Sequence, residues 1–303
     1  MSAIVDAAFT YSNAVGSVPK GSVSGDITTA FTGGSYVGGK YVGSGPLPTT
    51  GRDDRASEST LGELVANALV STLNRPEYGS ATIGVVNPGS MRAELFDAPD
   101  GVISYAEAVA VMPFANSLFT TSLTGAQFKT LLEQQWQRLA GGSVPSRAYL
   151  QLGLSSNVTY TFDAARAEGS RVTSITIDGV PYDPAASYRI GTFSFLTTGG
   201  DNFHVFKQGT STRDTGLVDR DAWVAYLEAH PNLSPDFARQ SVSVSPLATT
   251  AVPGESLQFT VSKLDLTSLG APQNTTLRVA VGGVEIGTVP VANGTAVVNL
   301  VVR

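Results

Sequence analysis

No part of the chain constrains its surroundings more than Phe195-Leu196-Thr197-Thr198-Gly199-Gly200-Asp201-Asn202-Phe203. It continues a strand pattern, Tyr188 to Phe195, that belongs to a run of period-two segments. A strand that runs into two glycines and an aspartate delivers polar groups to the end of an element, where binding groups usually sit. Three other turns have the same character. Arg55 precedes a helix in Arg55-Ala56-Ser57-Glu58-Ser59-Thr60-Leu61-Gly62. Asn87-Pro88-Gly89-Ser90-Met91-Arg92 follows the apolar strand Thr82 to Val86, and Met112-Pro113-Phe114-Ala115-Asn116 follows another helix.

Helices and strands intermix around these turns. Ser2 to Val15 has helical spacing, Val23 to Phe31 reads as a strand or extended piece, and Thr32 to Pro48 is rich in Gly, Pro and Ser and reads as irregular loop. Thr60 with Glu63, Ser104 with Glu107, and Thr124 with Gln127 are capping boxes. The last of these opens a helix expected to bury Phe128, Leu131, Leu132 and Leu139. Ser117 to Leu123, Val158 to Phe162 and Val172 to Ile177 are strands, with an Asp178-Gly179 hairpin signal, and Asp219 to His230 is a helix stopped by Pro231. Beyond Gln240 only short strands remain, separated by Pro253-Gly254, Gly282-Gly283 and Asn293-Gly294 turns, the spacing of a β-sandwich. The expected fold is α+β (mixed α/β) followed by a small all-β immunoglobulin-like module. The expected units are residues 1–30, a connecting helix and the start of the main domain; 31–240, the main domain; and 241–303, the module.

Composition excludes several functions. With 42% hydrophobic and 15% charged residues the chain can bury a large core. A formal charge of -6 and a pI near 4.9 would repel a phosphate backbone, so a nucleic-acid polymer is not an expected partner. No run approaches the roughly 18 to 20 apolar residues of a membrane span, and the start lacks the layout of a signal peptide. There is no cysteine, hence no thiolate catalysis, Cys-type zinc site or disulfide. The two histidines, His204 and His230, sit in unrelated contexts and read as structural residues. No catalytic residue and no metal-ligand spacing is expected within the chain.

The ordered motifs Arg…Glu-Ser-x-Leu-Gly, Asn-x-Gly-x-x-Arg, Pro-Phe and Phe-Leu-x-x-Gly-Gly-Asp-x-Phe resemble the C-terminal substrate-recognition domain of the 5′-nucleotidase family, over about residues 50–240. Each motif alone is weak, but their order and spacing are specific. The resemblance implies that Phe114 and Phe195 clamp a nucleobase, that Asp201 on the Gly199-Gly200 turn binds ribose hydroxyls, and that Arg55 and Arg92 lie on the phosphate and ribose side. Asn87 and Asn116 face either the base edge or the loop scaffold. In the family, hydrolysis belongs to an N-terminal metallophosphoesterase domain holding two divalent metal ions, and nothing here resembles that domain. The expectation is a nucleotide-binding part of a secreted or cell-surface bacterial hydrolase that is inactive without this partner domain. The competing reading is a surface scaffold or adhesion module that has lost its pocket. Pro88 stands where the family often has Gly, which puts the path of that turn in question.

Overall fold

The computed structural model describes residues 2–33, 35–37, 40–45, 50–98, 100–246, 250 and 252–301. Among these, six α-helices form: α1 (Ser2–Gly16), α2 (Thr60–Leu73), α3 (Tyr105–Val111), α4 (Gly125–Glu133), α5 (Ser194–Thr197) and α6 (Asp219–Ala229). The mixed α/β character expected for the main body is present.

A five-stranded sheet organises the body, in the order 210–218, 117–124, 187–193, 83–86, 153–154. Strand 187–193 runs parallel to 83–86, with Ile190 opposite Ile83, and antiparallel to 117–124, with Phe193 opposite Leu118. Both faces are covered, which is why 83–86 is buried at every residue. Val86, Leu118 and Phe193 pack with Leu61, Val65, Leu69, Trp223 and Leu227 of α2 and α6. Ile83, Val85 and Ile190 pack on the other face with Phe128, Leu131 and Leu132 of α4 and with Phe203 and Phe206. Trp223 is further fixed by its indole N–H, which donates to the Ala108 carbonyl at 3.1 Å.

Caps decide where the helices start. Ser104 and Thr124 form the expected boxes with Glu107 and Gln127. For α2 the expectation shifts by one residue: Ser59 is the cap, accepting from Gly62 N at 3.1 Å. The Thr60 hydroxyl is occupied elsewhere, accepting from Thr28 N at 3.1 Å. Leu139 is also a correction. It is 43% exposed, because α4 ends at Glu133 and residues 135–137 pair with 148–150 through Leu150 N to Gln135 O and Gln137 N to Ala148 O, both 2.9 Å. The segment Val23 to Phe31 is extended, with isolated bridges at Val23, Ile27 and Phe31. Part of the expected loop 32–48 is instead a hairpin, Ser35–Val37 against Lys40–Val42. Pro46, Leu47 and Pro48, and Val302 at the end of the last expected strand, lie outside the described residues.

The tail strands fall close to where they were expected, but the sheet does not break at residue 240. Ser241–Ser245 pairs parallel with Val158–Phe162, giving a second sheet in the order 180–181, 172–177, 158–162, 241–245, 256–262, 296–301. The remaining tail strands, Thr276–Val281 and Val284–Pro290, form a hairpin. Buried polar bonds fasten the tail to the body. The Glu58 carboxylate accepts from Gln240 N at 2.7 Å and from Ser241 N at 3.0 Å, and Ser268 Oγ accepts from Thr60 N at 3.1 Å.

Candidate functional site

Topology brings the motif turns to one edge of the five-stranded sheet. Asn87 and Ser194 follow the carboxyl ends of two parallel strands, 83–86 and 187–193. Asn116 precedes 117–124, which is antiparallel to 187–193, so its entry lies at the same edge. Strand 153–154 is antiparallel to 83–86, and just ahead of it Gln151 N donates to Arg55 O at 2.8 Å. The carboxyl edge of an open α/β sheet is where ligands usually bind.

Asn87, Asp201 and Arg55 converge there. Asn87 Nδ2 donates to Asp201 Oδ2 at 2.7 Å, and Asn87 Oδ1 accepts from Ser90 Oγ at 2.6 Å. Gly89 is the centre of this group. A Cβ on it would lie 3.1 Å from Arg55 Nη1, 3.4 Å from Asn87 Nδ2 and 3.7 Å from Asp201 Oδ2. Pro88 fits the turn. Asn87 is extended, as a residue before proline prefers, and Pro88 opens a single 3₁₀ turn ending at Ser90.

Arg55 is held by Asp53, which accepts from Nε at 3.0 Å and from Nη2 at 2.8 Å, leaving Nη1 aimed at Gly89. Asp53 was not among the expected site residues. The only hint in the sequence was a carboxylate two positions before the arginine.

Asp201 and Asn202 have φ values of 49° and 60°, a left-handed conformation that Asp and Asn tolerate better than most residues. Asn202 Nδ2 anchors the turn by donating to Gln137 Oε1 at 2.8 Å. Gly199, with φ 82°, enters this path. Gly200 is required for a different reason: a Cβ there would sit 2.6 Å from the Phe195 ring.

Phe195 is 41% exposed and Phe114 is 55% exposed, although rings of this size are usually buried. The Arg92 guanidinium lies 5.7 Å from the centre of the Phe114 ring, a cation–π distance that joins two of the turns. Asn116 is engaged away from this group: its Nδ2 donates to Asp219 Oδ2 at 2.9 Å and its carbonyl accepts from Asp219 N at 2.9 Å. Burial raises the Asp219 pKa, and the Asn116 amide opposes the rise. His230 caps its own helix, with Nδ1 2.8 Å from Tyr226 O, and His204 Nε2 is buried without a partner. Among the described residues no group of three or more His, Cys, Asp or Glu side chains could hold a metal ion, and no helix is long and apolar enough to cross a membrane.

Known proteins agree with this architecture. The chain is 31% identical over 181 residues to the trifunctional nucleotide phosphoesterase protein YfkN of Bacillus subtilis, covering 57% of this chain and 12% of that protein. It is 31% identical over 157 residues to protein UshA of Yersinia enterocolitica, covering 52% and 26% respectively. It is 28% identical over 178 residues to a snake venom 5′-nucleotidase of Macrovipera lebetinus, covering 54% and 42%. This chain therefore spans less than half the length of each of these relatives. In fold it is similar to the 5′-nucleotidase precursor from Thermus thermophilus, with a TM-score of 0.57 and 24% identity over 78% of this chain and 42% of that one. The family described as 5′-nucleotidase, C-terminal domain, matches residues 39–208, more than half of the chain, and this protein belongs to it.

Proposed function

We propose that this chain, a nucleotidase substrate-binding domain by family, recognises a nucleotide or nucleoside at the turn cluster formed by Arg55, Asn87, Asp201, Phe114 and Phe195, with residues 31–240 as the binding unit. One observation carries the reading: three hydrogen-bonding side chains meet around Gly89 at the edge of the sheet that also bears two solvent-exposed phenylalanines. The two rings stack on the base, each face being worth ~1 to 3 kcal/mol without strong base selection. Asp201 Oδ2 is held by Asn87, and the other carboxylate oxygen accepts from the vicinal ribose hydroxyls. Arg55 Nη1 and the exposed Arg92 guanidinium serve the phosphate oxygens, for which a guanidinium fork is suited. Asn87 acts by positioning Asp201, and Asn116 by tying its turn to α6.

Hydrolysis belongs, on this reading, to a metallophosphoesterase domain outside this sequence, in a protein that is secreted or on the cell surface. Among the described residues no cluster of His, Asp or Glu side chains fits two divalent metal ions. The intact Asn87–Asp201 contact weighs against a scaffold that has lost its pocket. Calorimetric titration with adenosine and AMP tests the proposal. Binding that weakens about 5- to 150-fold in Phe195→Ala and Phe114→Ala is expected. Equal affinity in wild type and both variants would refute the clamp.

A further inference from the structure

A second cleft, of about 410 Å³, opens between the body and the tail, lined by Ser57, Glu58, Arg239, Ser262, Lys263 and Thr267 among others. Its acids are already engaged by neighbouring donors. Glu58 accepts from Gln240 N, Ser241 N and Ser241 Oγ, and Asp265 Oδ1 accepts from Asn274 N and Nδ2. Its cations are less fully engaged. Lys263 Nζ lies over the rings of Tyr149 and Phe162, 5.5 and 5.7 Å from their centres, and among the described residues no carboxylate comes within ion-pair distance of it. Arg239 directs Nε and Nη2 to Ser241 O, at 3.2 and 2.9 Å, and its Nη2 also lies 3.7 Å from Glu58 Oε2, which leaves Nη1 without a hydrogen bond among the described residues. Thr267 Oγ1 is buried in the wall with no hydrogen-bond partner. An orphaned buried hydroxyl is costly and unusual. Lys263 itself has φ 60°, an uncommon conformation for a lysine and one that costs on the order of 1 to 3 kcal/mol unless its surroundings enforce it.

We propose that this cleft binds a small molecule through an oxyanion, a phosphate or carboxylate group, received by Lys263, Arg239 and the Thr267 hydroxyl. The cleft is large enough for an organic body as well as the anionic group. Electrostatics point the same way. Burial lowers the Lys263 pKa and Arg239 lowers it further, against smaller upward pulls from Asp54 and Glu58. An anion between the two cations offsets both losses. The cleft borders the Arg55–Gly62 turn through Ala56, Ser57 and Glu58, but Lys263, Arg239 and Thr267 lie outside the nucleotide turns, so the proposal does not depend on their assignment.

Calorimetric titrations with inorganic phosphate and with succinate, on wild type, Lys263→Met, Thr267→Val and Phe195→Ala, test the proposal. Methionine keeps the stem over the two rings and removes only the charge. At least one anion should bind wild type and Phe195→Ala alike, with binding reduced roughly tenfold to a hundredfold in Lys263→Met and less in Thr267→Val. Which anion binds distinguishes a phosphate from a carboxylate ligand. Amide resonances of Lys263 and Thr267 should shift on addition, which separates loss of the site from loss of fold. Absence of binding at millimolar concentration, or equal affinity in Lys263→Met, which would place the anion elsewhere, overturns the proposal.

Discussion

Replacing Glu63 by Gln should stabilise the protein in a strongly pH-dependent way. Glu63 is only 5% exposed, and its pKa is raised from 4.5 to about 8, by burial first, then by Asp236 and Glu58, with the Asn67 amide opposing. Its place in the first turn of α2 favours the anion, but by only about 0.3 to 1 kcal/mol, too little to reverse the effect of burial. The folded protein therefore holds this proton up to about pH 8, whereas the unfolded chain releases it near pH 4.5. Between those values folding takes up a proton, so the stability present below pH 4.5 is lost progressively as the pH rises through 8. At about 1.36 kcal/mol per pH unit the whole interval gives a ceiling near 5 kcal/mol, and with the helix dipole a loss of about 3 to 5. That is a large part of the ~5 to 15 kcal/mol of a typical domain. Glutamine keeps the shape and cannot ionise. Urea unfolding followed by tryptophan fluorescence at pH values from about 5 to 9 would show wild type weakening and Glu63→Gln holding, the gap widening with pH. Other titrating groups are common to both proteins and cancel in the difference. Parallel curves would mean that Glu63 ionises normally in the fold and that the argument from burial is wrong.

Asp201→Ala should weaken adenosine far more than its 2′,3′-dideoxy analogue, because only the diol donates to the carboxylate; equal losses in calorimetry would remove Asp201 from the ribose. Asn116→Ala should cost about 1 to 3 kcal/mol in urea unfolding by leaving Asp219 without its amide donor. That loss should grow with pH, since the amide stabilises the ionised carboxylate, and a pH-independent loss would argue against this cause. Incubated with AMP and Mn²⁺ or Zn²⁺, this chain should release no phosphate. Metal-dependent turnover abolished by mutating His204 or His230 would show a catalytic centre within it.

Local signals were legible wherever a residue's partner is near in sequence. The Ser104 and Thr124 boxes, the Asp178-Gly179 turn and the buried face of Phe128, Leu131 and Leu132 all rest on neighbours a few positions away. The α2 cap escaped by one residue because Thr60 is claimed by Thr28, 32 positions earlier. Leu139 escaped because the pairing of 135–137 with 148–150 overrides the helical period. At the site, residue types and motif order led to Asp201, Arg55 and Phe195, but the contacts that orient them were invisible. Asn87 reaches Asp201 across 114 positions, and Gly89 becomes the meeting point only when two parallel strands end side by side.

The parallel pairing of Ser241–Ser243 with Tyr160–Phe162 also has a bearing on how the chain is made. During synthesis the 158–162 strand emerges long before its neighbour, and until the tail arrives it presents a row of unpaired backbone groups, a template for pairing with another nascent chain. Glu58 waits longer still: its backbone donors at Gln240 and Ser241 come 182 and 183 positions later. Until they arrive, that carboxylate would be buried without them, so the body has reason to stay loose around it. A version stopped at residue 240 would keep every motif turn and yet carry this open edge for good. Such a fragment should collect in aggregates at expression, while the chain that includes the tail seals its own edge last.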